Sequence, residues 1–195
     1  MAQGMRVAAA GMTMLALVGT LGVGCAKKKV VRLVADEDRI EWAKNEPSFV
    51  VIRKSCRTLD VYRYGQRLRS YPAVFGQAGA KGGRKLFEGD MRTPTGLYSI
   101  IGDRWHDRWE HFFLLDYPNA ADAQRYRVAM TQGQLPIRGS QPVGIGSAIG
   151  IHGTDKPWLN RQNVDWTWGC ISIDSDNVRD MATLVGFGTP VLILE

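Results

Sequence analysis

Short apolar runs separated by turn residues constrain the fold of this chain more than any other feature. Runs of β-branched, aromatic and other apolar residues occupy positions 49–53, 58–64, 67–75, 96–102, 112–115 and 189–194. Glycine and polar residues stand between them, which is typical of a sheet built largely from hairpins. From residue 48 onward, helical patterns are limited to 120–132, which Asn119 can cap, and 175–185. The sequence therefore predicts a mainly β, sandwich-like domain with a few inserted and peripheral helices.

The first 24 residues have the pattern of an export signal. Arg6 precedes an uncharged apolar stretch at 7–23, and small residues lead to Cys25. A basic start, an apolar centre and a small-residue end describe a secretory signal peptide. Gly24 directly before Cys25 resembles a lipoprotein processing site, so we predict that Cys25 is lipidated. The alternatives are an ordinary signal peptide, in which Cys25 has no role, and an uncleaved anchor.

Length and charge bound the rest of the chain. The 195 residues leave room for one ordinary domain after the signal, and we predict a tether with a short helix at 25–47 and one domain at 48–195. Lys and Arg exceed Asp and Glu by 25 − 19 = 6. This excess is spread along the chain and forms no nucleic-acid motif, so no nucleic-acid partner is expected.

Two short motifs carry the chemistry. Ile-His-Gly-Thr stands at 151–154 and Thr-Trp-Gly-Cys-Ile-Ser-Ile at 167–173. A free thiol is little ionised near neutral pH, so a nucleophilic Cys170 needs a basic partner, which His152 can supply. Gly169 allows a sharp turn, and the amides of Gly169 and Cys170 can then face a developing oxyanion. Alone, each side chain would suit a structural core position; together they favour catalysis.

These motifs resemble the L,D-transpeptidase catalytic domain, also called the YkuD-like domain. The family has His-Gly-Thr followed by Ser/Thr-x-Gly-Cys-Ile/Val. The stretch at 93–100, Thr-Pro-Thr-Gly-Leu-Tyr-Ser-Ile, is similar to the family's strand entry, and 59–62 to its opening hairpin. Tyr-Pro-Asn at 117–119 resembles the murein L,D-transpeptidase subgroup, which carries an inserted helical segment. The four motifs occur in the family's order, and the resemblance spans about residues 48–195.

The resemblance implies roles for the two motifs. Cys170 would be the nucleophile and His152 the base that activates it. The family orients this histidine through a backbone carbonyl, which here would belong to Gly153, with Asp155 as a rival. Thr167 takes the position of the family's usual serine.

Substrate-binding residues follow less directly from the resemblance. Thr167 and Trp168 are candidates beside the nucleophile, although core packing is the alternative for the tryptophan. The family commonly has Arg two residues after the cysteine, where this chain has Ser172. An arginine there could hold a substrate carboxylate, so we consider Arg138 and Arg161, which flank the His152 segment, as substitutes.

Other enzyme classes fit the sequence poorly. His106 and His111 are five residues apart, which lacks the same-face spacing of a helical zinc motif, so no metal and no cofactor are expected. Ser-x-x-Lys and Lys-Thr-Gly, which mark serine penicillin-binding enzymes, are absent. Papain-like proteases place the cysteine before the histidine, which is the reverse order.

The resemblance implies a cysteine-dependent acyl transfer on peptidoglycan stem peptides. The export pattern predicts a protein in the periplasm or cell envelope, anchored to a membrane through a lipidated Cys25. Cys170 would form a thioester and pass the acyl group to a diaminopimelate amine or to a lysine of a murein-attached lipoprotein. One alternative is a hydrolase on the same nucleophile that detaches lipoprotein or trims stems. Another is a non-catalytic peptidoglycan-binding lipoprotein.

Overall fold

A computed structural model describes residues 45–79 and 83–195 of the chain. The predicted signal peptide, Cys25 and most of the predicted tether lie outside the described residues. None of the helices in the described part is long and apolar enough to cross a membrane.

The described chain forms ten strands and three helices. In chain order the strands are β1 (Phe49–Arg53), β2 (Thr58–Arg63), β3 (Gln66–Pro72), β4 (Gly96–His106), β5 (Glu110–Leu115), β6 (Ile137–Arg138), β7 (Gln141–Pro142), β8 (Gly150–His152), β9 (Ile171–Ser172) and β10 (Pro190–Leu194). The helices are α1 (Ala120–Thr131), α2 (Pro157–Arg161) and α3 (Ser175–Ala182). The prediction of a mainly β domain with a few helices is confirmed.

Eight of these strands form one sheet in the order β3-β2-β1-β10-β4-β5-β8-β9, and β6 and β7 form a separate hairpin. The pairs β1–β10 and β8–β9 are parallel, and the other neighbours are antiparallel. The sequence predicted the long strands, whereas β8 and β9 are too short to give a clear pattern. The site depends on these two short strands.

The two ends of the sheet are tied together beyond β3. Val74 donates its amide hydrogen to the carbonyl of Ser172 at 3.0 Å and accepts the Ser172 amide at 2.9 Å. An isolated bridge also pairs Gly76 with Thr167. These bonds connect the chain after β3 to β9 at the other edge, so the sheet curls around its core. The core contains the following buried side chains: Val50, Ile52, Leu59, Tyr98, Ile100, Phe113, Ile151, Ile171, Ile173 and Ile193.

Helix α1 begins as the sequence predicts. The Asn119 side-chain oxygen accepts the amides of Ala121 and Asp122, and Asp122 accepts the Asn119 amide in return. This reciprocal arrangement satisfies amides that a helix start leaves unpaired. The buried Asp122 carboxylate also accepts a hydrogen bond from the Tyr98 hydroxyl at 3.1 Å. The cap thereby attaches the inserted helix to β4.

The loop before β4 is organised by one buried carboxylate. Asp90 accepts hydrogen bonds from the Lys85 ammonium at 2.8 Å and from the Leu86 and Arg92 amides at 2.7 and 3.1 Å. Thr93 in the same loop accepts the Gly76 amide through its hydroxyl oxygen at 3.0 Å. These hydrogen bonds hold the loop in place beside the segment that precedes β9.

Candidate active site

The parallel pair β8–β9 places the two predicted catalytic residues on adjacent segments of the chain. Ile151 pairs with Ile171 and His152 with Ser172. Cys170 directly precedes β9, two residues before the β9 residue that pairs with His152. Cys170 is a free thiol, and its Sγ lies 3.7 Å from the carbonyl oxygen of Ala148, two residues before β8 begins. The register of β8 and β9 therefore places Cys170 and His152 close enough along neighbouring segments to form the predicted site.

The tight turn before Cys170 depends on Gly169. This residue has a φ of +129°, and a Cβ there would lie 2.7 Å from the Arg92 carbonyl oxygen. Neither the backbone conformation nor the space accommodates a side chain. Gly169 therefore fixes the approach of the nucleophile segment to the loop before β4.

The hydroxyl of Thr167 closes this turn from within. It donates to the Cys170 carbonyl at 2.7 Å and accepts the Gly169 amide at 3.2 Å. Thr167 is buried, so the structure gives it contacts inside the loop rather than the substrate contact predicted from the sequence. The Gly169 amide is likewise occupied, which differs from the predicted oxyanion role. The Cys170 amide has no hydrogen-bond acceptor among residues 45–79 and 83–195.

His152 is buried and held in one orientation. Its Nδ1 lies 2.6 Å from the Gly153 carbonyl oxygen, and because a carbonyl only accepts, Nδ1 carries the hydrogen. In the neutral ring Nε2 is then unprotonated and can accept a proton. The ring stacks on Trp109 with a centroid distance of 4.6 Å, and the edge of Trp166 packs on it at 5.9 Å.

Burial favours the neutral forms of both groups. It lowers the pKa of His152 to about 4, with the Gly153 carbonyl opposing this effect by stabilising the protonated ring. Desolvation raises the pKa of the Cys170 thiol, against the opposing effects of the Gly150 amide and the Lys85 charge. At neutral pH the resting pair is therefore thiol and imidazole, and a proton must pass from the thiol to the ring during attack.

The carboxylate considered as a rival orienting group faces another partner. Asp155 accepts the Arg108 Nε hydrogen at 3.0 Å, and this pairing contributes to the lowered pKa of the carboxyl, which desolvation opposes. The His152 ring instead donates its Nδ1 hydrogen to the Gly153 carbonyl, the orienting group that the resemblance implies, while the catalytic role of Gly153 stays a prediction.

The remaining predicted substrate residues differ in their placement. Trp168 is 75% exposed directly beside the nucleophile segment, so its ring is available to a ligand. Trp166, two residues before it and not one of the predicted substrate residues, donates its indole hydrogen to Asn160 at 2.8 Å, which anchors it in the protein. Arg138 in β6 and Arg161 at the end of α2 are exposed, and neither forms an ion pair with a residue in the described part of the chain.

Sequence reasoning missed the aromatic support of His152. From the sequence, the segment 104–111 was considered only for the spacing of its two histidines, but the segment forms the β4–β5 hairpin, and Trp109 in its turn packs on the imidazole. On its other face Trp109 stacks on His106 at 4.3 Å. The cluster of aromatic residues in this segment was the available signal, but only the strand order shows that the hairpin lies against β8.

Comparison with protein families assigns the domain. The family model of the L,D-transpeptidase catalytic domain, YkuD, matches residues 47–193. The chain belongs to the L,D-transpeptidase catalytic-domain family. This confirms the resemblance drawn from the motifs and, at the level of the family, the prediction of a transpeptidase enzyme. Comparison with curated proteins gives no significant match.

Solved structures share the fold of this L,D-transpeptidase domain at low sequence identity. Bd1075 from Bdellovibrio bacteriovorus has a TM-score of 0.54 at 20% identity, covering 79% of this chain and 50% of that one. The helical cell shape determining protein Pgp2 from Campylobacter jejuni has a TM-score of 0.51 at 22% identity, covering 75% and 46%. An L,D-transpeptidase from Mycobacterium smegmatis has a TM-score of 0.50 at 15% identity, covering 76% and 59%. The chain thus spans about half the length of these relatives.

Proposed function

We propose that this protein is a cysteine-dependent L,D-transpeptidase that acts on peptidoglycan stem peptides. The observation that carries the proposal is the 2.6 Å hydrogen bond from His152 Nδ1 to the Gly153 carbonyl, on the strand paired with the Cys170 segment. This bond leaves Nε2 unprotonated in the neutral ring, so that it can accept the thiol proton. The family itself acts on peptidoglycan.

Acylation begins with attack of Cys170 Sγ on the carbonyl between the third and fourth residues of the stem. His152 Nε2 takes the thiol proton as the S–C bond forms, and the Cys170 amide faces the oxygen that becomes negative. The C–N bond then breaks, and His152 returns the proton to the departing amine of the fourth, D-configured residue. The product is a thioester on Cys170.

Deacylation uses the same two groups in reverse. An acceptor amine attacks the thioester carbonyl, His152 takes a proton from it, and the Cys170 thiolate leaves and recovers that proton. A diaminopimelate amine gives a cross-link, and a lipoprotein lysine gives an anchored protein. Trp168, exposed beside the nucleophile, is placed to contact the stem peptide or the acceptor.

We place the enzyme in the cell envelope, where its substrate is found. The export pattern before Cys25 supports this location, and lipidation of Cys25 would hold the domain at a membrane. Mass spectrometry of the N-terminal peptide from the envelope fraction tests the anchor, because lipidation adds a diacylglyceryl group to Cys25.

The test of the function is product analysis with defined substrates. The purified protein is incubated with disaccharide-tetrapeptide, alone or with a second stem peptide or a lysine-ended lipoprotein peptide. We expect release of the D-amino acid and a new amide with one acceptor, and no product from Cys170→Ala. Release without a new amide would make the protein a hydrolase. No reaction by folded protein would contradict the proposal and favour a binding role.

A further inference from the structure

Ser172 stands where the family commonly has arginine, and its side chain is directed into the protein. The residue is fully buried between β8 and the chain after β3. Its hydroxyl lies 3.3 Å from the Gly153 carbonyl oxygen. This oxygen is the one that accepts the His152 Nδ1 hydrogen. The carbonyl that orients the imidazole therefore has a second contact, which the family comparison does not suggest.

The direction of this hydrogen bond is fixed by a buried chain of donors. The Trp166 indole can only donate, and it donates to Asn160 Oδ1 at 2.8 Å. The Asn160 amide nitrogen then faces Ser172 and donates to its Oγ at 3.2 Å. The hydroxyl hydrogen of Ser172 is left for the Gly153 carbonyl. Every donor in the chain has one acceptor, so the network has a single arrangement.

The other end of the same peptide group is also held. The Thr154 amide, which shares a peptide plane with the Gly153 carbonyl, donates to Ser175 Oγ at 3.2 Å. The Gly153 amide donates to the Trp109 carbonyl at 3.0 Å, and a Cβ at Gly153 would lie 2.3 Å from that oxygen. The peptide group between Gly153 and Thr154 is thus hydrogen-bonded to a serine hydroxyl at both ends, to Ser172 at the carbonyl and to Ser175 at the amide.

We propose that Ser172 is a positioning residue, which holds the Gly153 carbonyl in the direction that keeps the hydrogen of His152 on Nδ1. This role rests on the proposed function, in which His152 Nε2 is the base. A base contributes only when its lone pair is aligned with the proton that it removes. The position that carries an arginine in the family pattern thus serves the base in this chain, not the substrate carboxylate.

The first arm of the test is the rate of acylation of the purified protein by a carbapenem. Ser172→Ala removes only the hydroxyl, and we expect acylation to slow about tenfold. Trp166→Phe keeps a ring beside His152 but removes the indole donor, and we expect a smaller decrease in the same direction. Ser48→Ala is the matched control, because it removes a serine hydroxyl that donates to the Leu184 carbonyl at 3.0 Å. It should react like the parent.

The second arm measures the tautomer of the His152 imidazole directly and does not require the protein to be active. In nitrogen-15 spectra of histidine-labelled protein, the His152 signals, assigned with His152→Gln, report which ring nitrogen carries the hydrogen. We expect protonated Nδ1 in the parent and in Ser48→Ala, and a mixture of the two tautomers in Ser172→Ala. Circular dichroism shows that each variant is folded.

The two arms separate failure of this inference from failure of the function. Acylation of Ser172→Ala within twofold of the parent, with the Nδ1 tautomer retained, would overturn the positioning role. A parent that is not acylated would contradict the proposed function, and the tautomer comparison would still decide whether Ser172 positions the ring.

Discussion

Burial acts on Cys170 and His152 by disfavouring the charged form of each residue. It raises the pKa of the thiol and lowers the pKa of the imidazole. A preformed ion pair is therefore not the resting state at neutral pH, and attack must be coupled to proton transfer. The hydrogen bond to Gly153 leaves Nε2 as the acceptor of that proton.

The lowered pKa of His152 also predicts how the stability of the protein depends on pH. The folded protein has a pKa of about 4 at this residue, whereas an unfolded histidine has one of about 6.5. Between these values the unfolded chain binds a proton that the folded protein does not. The contribution of His152 to the free energy of unfolding is therefore complete above pH 6.5. As the pH falls toward 4 this contribution decreases by about 3 kcal/mol in total.

Denaturant unfolding of the parent and of His152→Gln at several pH values between 4 and 7 measures this effect. We expect the free energy of unfolding of the parent to fall more steeply with decreasing pH than that of the variant. Other titrating groups act on both proteins and cancel in the difference. Parallel curves would show that the imidazole is not desolvated as the structure indicates.

Among the elements, helix α1 offers a test of the cap that attaches it to the sheet. Asn119→Ala removes the acceptor of the Ala121 and Asp122 amides, and we expect the free energy of unfolding to decrease by about 1 kcal/mol. Thr131→Ala is the control, because its exposed hydroxyl only donates to the Val128 carbonyl within the last turn. It should cost less than about 0.5 kcal/mol.

Equal stabilities of the two variants would contradict the cap. The carbapenem acylation rate of both should equal that of the parent, because none of the site contacts involves α1. A slower reaction of Asn119→Ala would mean that the inserted helix communicates with the site.

The loop before β4 restricts the backbone of the nucleophile segment, although the two are far apart in the sequence. Asp90 accepts hydrogen bonds from a buried ammonium and from backbone amides. The backbone at Arg92 lies so close to Gly169 that no side chain fits between them. The family motif at 93–100 therefore helps to hold this loop in place, since the Thr93 hydroxyl oxygen also accepts the Gly76 amide hydrogen. The sequence showed the motif but not this contact.

At the scale of the whole molecule, the sequence predicted what depends on local pattern. Long strands such as β1 and β10, the cap at Asn119 and the two catalytic motifs all have local signals. The hydrogen-bonded chain from Trp166 to the Gly153 carbonyl has none, because its members meet only after the curled sheet brings β8, β9 and α2 together. Thr167 shows the same limit, since its hydroxyl contacts could not be inferred from its position in the motif.

The central claim is that Cys170 is an acyl-accepting nucleophile, and the most direct measurement is the intact mass of the purified, reduced protein after exposure to a carbapenem. We predict a single covalent adduct on the parent, slower formation of the same adduct on His152→Gln, and no adduct on Cys170→Ala. An unmodified parent that is shown to be folded, or an equal adduct on Cys170→Ala, would contradict the account.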